Sequence, residues 1–292
     1  MSESKAQPTY RRQRFLLAFI RQLQGSVAST DLQKLVFLNT MVEGLDFYEF
    51  IPYKYGAYSF QLSEDLEILQ RDGYLTIEST SKTNRIKAIG DYQSGASFRI
   101  AAERGDKLIR KAYREYPYFA IKSEITKRIF DDEEFERFNG VRLQYIKTNQ
   151  ALFTIGYEGK SIEAFINTLI QNDIHLLCDV RMNPLSRKFG FSKGKLAHIA
   201  DTVGIKYIHV PGLGIESAKR DSLETVEDYK RLFIDYAKTL PCRTLLLEHV
   251  YALLQSNMRV ALMCYEKEPK MCHRHVIRDY IVNTYRVESA DL

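Results

Sequence analysis

At 292 residues, 45% hydrophobic, 12% aromatic and 27% charged, the chain has an ordinary globular composition and the length of roughly two domains of about 150 residues. Its net charge of +5 divides into +3 for residues 1–150 (23 Lys and Arg minus 20 Asp and Glu) and +2 for residues 151–292 (19 minus 17), so neither half is a polycation and any nucleic-acid surface has to come from local clustering. No apolar run approaches the ~20 residues of a bilayer span, the start MSESKAQPTYRRQR lacks a signal-peptide pattern, and 4 Cys without a CxxC pair are no disulfide framework; no membrane contact, a cytoplasmic setting and reduced thiols are expected.

In chain order, Tyr10 to Gln24 alternates basic and apolar faces as a helix would. Ser29-Thr30-Asp31 offers an N-cap to the apolar-periodic LQKLVFLNTMV, with Gly44 as its stop. The aromatic FYEFIPYKYGAYS is punctuated by Gly and Pro, and SFQLSEDLEILQRDG predicts a third helix closed by Gly73. YLTIEST, SKTN and RIKAI then alternate like a hairpin. Three helices and a hairpin outline a winged helix-turn-helix within a module spanning residues 1–140. Arg11, Arg12 and Arg14 at its start and Lys82, Arg85 and Lys87 on the wing are the candidate phosphate contacts. Against DNA binding, the candidate recognition helix carries Glu64, Asp65 and Glu67, and a role in protein contact or dimerisation is the competing expectation.

The stretch from KLVFL to FYEFIPYKYGAYSFQLSEDLEILQRDGYL resembles a bacterial helical family that includes the Panacea domain, whose signature is PYKYGPYS; Ala57 stands where Pro is usual. The resemblance implies a regulatory or partner-binding role. Residues 102–139 read as helical, DDEEFE at 131–136 as a solvated face or helix start, and GVRLQYIKTNQ as the linker.

From Ala151 short apolar runs alternate with amphipathic ones: ALFTIG before SIEAFINTLIQN, IHLLCDV before KGKLAHIADTVG, KYIHV before TVEDYKRLFIDYAKTL, and RVALMCY before CHRHVIRDYIVNTY. Repeated βα units predict a Rossmann-like parallel sheet over residues 150–292, so the fold class is α/β, preceded by the mostly helical module. CRTLLLEHVYALLQSN runs too long for a strand and predicts a helix.

Ligands of such sheets gather at the carboxyl ends of strands. Those ends carry Gly156, Tyr157, Glu158 and Gly159; Asp179 with Arg181, Ser186 and Arg187; His209 with Gly214; and Cys264 followed by Glu266. GYEGKS is neither a Walker loop nor a GxGxxG fingerprint, which leaves a tight turn or a phosphate loop. Arg181 and Arg187 suit bidentate phosphate or carboxylate binding.

In CYEKEPKMCHRH, Cys264, Cys272, His273 and His275 have no CxxC and no second knuckle elsewhere, which argues against zinc; no metal and no cofactor are expected. Cys264 or Cys272 could serve as a thiolate, or as a small buried hydrophobe. Glu266, two residues past the strand, is the preferred reacting carboxylate, with Asp179 as its assistant and Arg274 at the next helix start as an anion binder.

Taken together, TIGYEGKSIEAFINTLIQNDIHLLCDVRMNPLSRKFGFSK, YIHVPGLG and ALMCYEKEPKMCHRHVI resemble domain of unknown function 488 over most of residues 151–285, with Tyr265 where Ala is commoner and Asn183 in a variable place. That resemblance implies a fold and a site, not a reaction. By analogy with nucleoside-processing α/β enzymes, the expectation is an enzyme acting on nucleic acid or nucleotides, such as cleavage of an N-glycosidic bond in genome defence, with DNA or a nucleotide as partner. The alternatives are a non-catalytic nucleotide sensor or transcriptional regulator, and a thiol-dependent enzyme.

Overall fold

A computed structural model describes residues 7–81, 83–90, 95–216, 219 and 223–292. The chain divides into two compact units, Met1–Gln144 and Tyr145–Leu292.

In the first unit α1 (Arg11–Gln22) buries the whole apolar run from Phe15 to Ile20, so the helix is enclosed on more than one face. A two-residue strand β1 (Val27–Ala28) leads into α2 (Ser29–Glu43). Helix α2 starts three residues before the expected first turn, because extended Ala28 takes the cap position and Asp31 instead accepts the Gly105 amide at 2.9 Å. The hairpin of β2 (Ile51–Tyr53) and β3 (Gly56–Tyr58) precedes α3 (Phe60–Arg71), whose N-cap Ser59 accepts from the Leu62 amide. Strands β4 (Leu75–Ser79) and β5 (Asn84–Ala88) pair antiparallel, and β1 joins β5 to give the order β1-β5-β4. Then come α4 (Gly105–Glu115), the single turn α5 (Thr126–Ile129) and α6 (Asp132–Leu143), the last capped by Asp131.

Lys34 breaks the apolar run of α2. It is 2% exposed and lines a cavity of about 580 Å³ with Gln33, Tyr53, Tyr55, Tyr58 and Ser63. Burial outweighs the attraction of Asp31 and pushes its ammonium down to about 7.

The second unit is a five-stranded sheet in the order β10-β6-β9-β7-β8, parallel throughout. Its elements are β6 (Ala151–Gly156), α7 (Ile162–Gln171), β7 (Leu176–Asp179), α8 (Lys193–Thr202), β8 (Lys206–His209), α9 (Val226–Thr239), α10 (Thr244–Asn257), β9 (Arg259–Cys264), α11 (Arg274–Tyr285) and β10 (Ser289–Asp291). Every residue of β6, β7 and β9 is buried, as expected of strands covered on both faces. Leu152, Leu176, Cys178, Val260 and Leu262 share one core with Phe233 and Tyr236 of α9, Leu247 and Val250 of α10, and Ile277 and Ile281 of α11. Helices α7 and α8 lie outside that core, on the opposite face that right-handed crossovers assign to them.

Strand β10 has no counterpart in the sequence expectation, which placed four strands in this half. Its three residues SAD are exposed and too few to show a period. They pair with Leu152, Phe153 and Thr154. The chain leaves β7 towards β8 but leaves β9 back across β6 towards β10, so the direction of winding reverses around β9. Such a reversal opens a crevice at the carboxyl ends of the strands. Register aligns that rim: Gly156 faces Cys264, and Asp179 faces both Met263 and His209.

Between pH about 7 and 10.5 the unfolded chain keeps the Lys34 proton that the fold has released, so stability should rise with pH across that window and be lowest below it. Lys34→Met should flatten the slope and raise the melting temperature most on the acid side, checked by thermal unfolding between about pH 6 and about pH 9. An unchanged slope would mean that Lys34 is not the titrating group.

Candidate functional site

The turn that follows β9 is strapped from both sides. Tyr157 and Glu158 donate their amides to Tyr265 O at 3.1 and 2.9 Å, and the Lys267 amide donates to Glu158 Oε2 at 2.9 Å. From below, Arg274 donates from Nη1 to Glu266 O at 2.5 Å, from Nη2 to Lys267 O at 2.9 Å and from Nε to Thr154 Oγ1 at 3.2 Å. Thr154 passes its own proton to Asp291 Oδ1 of β10 at 2.6 Å. Arg274 is fully buried and clamps the turn from within. Gly156 is required beside it, since a Cβ there would lie 1.8 Å from Glu266 O.

Over this clamp sit Cys264, Glu266, Cys272 and His273. Cys264 donates to Glu266 Oε2 at 3.4 Å, and both Cys264 Sγ and Cys272 Sγ lie 3.8 Å from His273 Nδ1. His273 Nε2 is 3.0 Å from Val180 O, so Nε2 carries the proton and Nδ1 turns its lone pair to the sulfurs. The hydrogen bond with Cys272, then burial and the neighbouring charges, push the Cys264 thiol well above its ordinary range. Burial opposes ionisation of Cys272 too, but the hydrogen bond from Cys264, the His273 ring whenever it is protonated at Nδ1 as well, and the charge of Arg274 hold it well below. Burial, followed by the charge of Cys272, pushes Glu266 up to about 7.

The ligand atoms of Cys264, Cys272 and His273 lie within 4.8 Å of one another. The expectation against a metal rested on spacing along the chain, and the fold removes that premise: the turn returns Cys272 and His273 to the end of β9.

Asp179 and Arg181 form a buried ion pair, with Arg181 Nε at 2.9 Å from Oδ1 and Nη2 at 2.6 Å from Oδ2. Tyr207 donates to Asp179 Oδ2 at 2.7 Å. Arg181 also donates to Tyr157 Oη at 3.1 Å and to Phe191 O at 3.0 Å, and the Tyr157 ring stacks on Phe191 at 4.3 Å. Burial opposes the charge of Arg181, but the Asp179 carboxylate holds its pKa above the ordinary value. Burial and Asp179 push the Tyr207 phenol up. Asp179 was expected to assist Glu266 and Arg181 to hold phosphate; in the structure the pair stitches β7 to β8 and to the loop after β6.

His209 Nε2 meets Arg181 O at 2.8 Å, and Ser186 Oγ accepts the Lys188 amide at 3.1 Å, so both shape loops. Gly214 packs against Met182, whose backbone N would lie 2.3 Å from an added Cβ. Arg187 is exposed at the rim. Lys160, absent from the sequence expectation, is half-buried, and burial followed by the charges of Arg274 and Lys267 pushes it down. Lys160 and Lys267 therefore add two positive charges near buried Arg274 at this turn. Beside it, Met182, Gly214, Lys219, Tyr236 and Arg243 line a cavity of about 360 Å³, and the Tyr236 ring meets His273 edge-on at 5.7 Å.

Of the residues proposed for nucleic acid, Arg12 is held internally, with Nε 2.6 Å from Asp65 Oδ2. Asp65 is itself fully buried and also accepts from Gln13 and Tyr48, so it would not repel a duplex. Arg85 binds Ser26, Arg11 and Lys87 are exposed, Arg14 is half-buried, and Lys82 lies outside the described residues. Tyr207, Phe191 and Thr154 escaped the sequence reading because nothing local distinguishes them from ordinary strand and loop residues.

Residues 161–281 match the family model of a domain of unknown function, DUF488. The match begins after β6 and its turn, ends before β10 and spans less than half of the chain. No curated protein and no solved structure matches.

Asp179→Asn leaves a buried guanidinium without its counter-charge and should destabilise the second unit by about 3–5 kcal/mol, read from denaturant unfolding. Gly156→Ala should displace the turn carrying Glu266 and lower the melting temperature of the same unit, whereas Gly194→Ala, with open space at its Cβ, should not.

Proposed function

We propose that the second unit is a hydrolase of phosphate-bearing substrates, nucleotides or nucleic acid, in which Glu266 is the acid–base or nucleophilic carboxylate. The observation that carries the reading is its setting: a half-buried carboxylate at the reversal of the sheet, next to a thiol–imidazole pair and followed in the turn by exposed Lys267. Of the other carboxylates described at the rim, Asp179 is committed to Arg181 and Tyr207 and Glu158 accepts the Lys267 amide, so proton transfer falls to Glu266. The cations favour an anionic substrate, which Arg187 and Lys188 would meet from the opposite loop. The neighbouring cavity carries both signs, Glu216 and Asp235 beside Lys219 and Arg243, and adds no such preference. Cleavage of an N-glycosidic bond is the reaction class that suits a carboxylate in this position, as the general base for water or as the nucleophile.

The first unit is proposed as a winged-helix module that brings the enzyme to nucleic acid. Support comes from the order of α1, β1, α2, α3, β4 and β5 and from the three-stranded antiparallel sheet, with Arg85 and Lys87 on one face of β5 and buried Ile86 on the other.

Purified protein incubated with nucleotides and with plain and base-modified DNA should release free base or cleaved product, detected by mass spectrometry. Glu266→Gln should lower turnover by about 10²–10⁴-fold and leave substrate binding within a few-fold. Retained nucleotide with no product from any substrate would overturn the enzyme reading in favour of a sensor.

A further inference from the structure

We propose that Cys264, Cys272 and His273 bind one thiophilic divalent cation, zinc foremost, with Glu266 beside an exchangeable fourth position. The site is that of the proposed reaction, but the inference rests on donor geometry alone and stands whatever the reaction is.

A tetrahedral zinc with Zn–S of about 2.3 Å and Zn–N of about 2.0 Å holds its sulfur and nitrogen ligands about 3.5–3.8 Å apart. Both sulfurs lie 3.8 Å from His273 Nδ1, and the three donors fall within 4.8 Å of one another. All three side chains are buried, at 1%, 1% and 3% exposure, and neither thiol is in a disulfide. The imidazole is set as a ligand should be, with Nε2–H anchored on the Val180 carbonyl and the Nδ1 lone pair directed at the sulfurs.

Cys178 provides the contrast. It is equally buried but sits among Leu152, Leu176 and Val260 in the apolar core, which is how a purely packing cysteine is placed. Glu266 Oε2, 3.4 Å from Cys264 Sγ, is close enough to take the fourth position or to accept a proton from water bound there. Three protein ligands and one exchangeable position are the pattern of a reactive zinc rather than of a closed structural one.

Two thiolates select a soft cation over magnesium or calcium, and their charge cancels that of the ion, so Arg274 and Lys160 do not repel the complex. On binding, two metal–sulfur bonds form, and each sulfur still carrying a proton, Cys264 first, loses it to solvent, with no electron transferred.

The full chain, purified under reducing conditions without chelator, should carry about one zinc per molecule by elemental analysis. With Co²⁺ in its place, sulfur-to-cobalt charge-transfer bands and tetrahedral d–d bands should appear. Cys264→Ser and Cys272→Ser should each weaken retention by at least about tenfold, whereas Cys242→Ser should leave it unchanged. Should the site variants fail to fold, competition between wild-type protein and a chromogenic zinc chelator gives the affinity directly. Wild-type protein that neither retains zinc nor takes up Co²⁺ would overturn the proposal. Zinc bound by a chain without turnover would count against the hydrolase alone, and turnover by a metal-free chain against the metal alone.

Discussion

A guanidinium can be fully buried only where oxygens meet its N–H groups, and that requirement on Arg274 organises the second unit. Its donors reach Thr154 in the middle of the sheet and the carbonyls of Glu266 and Lys267, and Thr154 relays the contact to the carboxylate of Asp291. The short strand β10 thereby has a purpose beyond extending the sheet, since it delivers the nearest anion to a buried cation. Asp291 shows the reciprocal effect: burial opposes its ionisation, but Thr154, Arg278 and Arg274 hold its carboxyl below the usual range. Removing this support would release the turn on which Glu266 is carried.

The second buried pair, Asp179 with Arg181, does for β7 and β8 what Arg274 does for β6 and β9. Each fixes a loop at the carboxyl edge by satisfying a charge inside the protein, and each removes a charged residue from the set available to a substrate. What remains on the turn after β9, among the described residues, is Glu266 with two thiols and an imidazole, alongside exposed Glu158 and exposed or half-buried Lys and Arg. The titratable groups Cys264, Glu266, Cys272 and His273 therefore lie on a single turn, residues 264–273, which buried contacts to Arg274 and to the loop after β6 hold in place. A site built in this way is preorganised, because its geometry depends on buried contacts rather than on mobile surface side chains.

The first unit repeats the theme in a different fold. Asp65 draws in Arg12, Gln13 and Tyr48, so that a helix which reads as acidic keeps one of its charges inside. Lys34 is the opposite case, a buried lysine whose charge desolvation discourages and which lines a tyrosine-rich cavity.

Much of this was legible in the residues themselves. The apolar runs ALFTIG, IHLLCDV and RVALMC, each followed by an amphipathic segment, determine a parallel α/β sheet, because strands buried on both faces read as continuous apolar stretches. Their ends determine which side chains share a rim, so Glu266, Cys264, Cys272 and His273 could be named in advance. The partner of each charge could not be. Whether Arg274 meets a phosphate or a backbone carbonyl, whether Asp179 transfers a proton or neutralises Arg181, and whether two cysteines eight residues apart converge on one imidazole depend on the strand order and on how the turn after β9 folds back. Local sequence specifies periodicity and residue chemistry; which buried charge is satisfied by which oxygen is a long-range matter of desolvation and geometry, and only the assembled fold decides it.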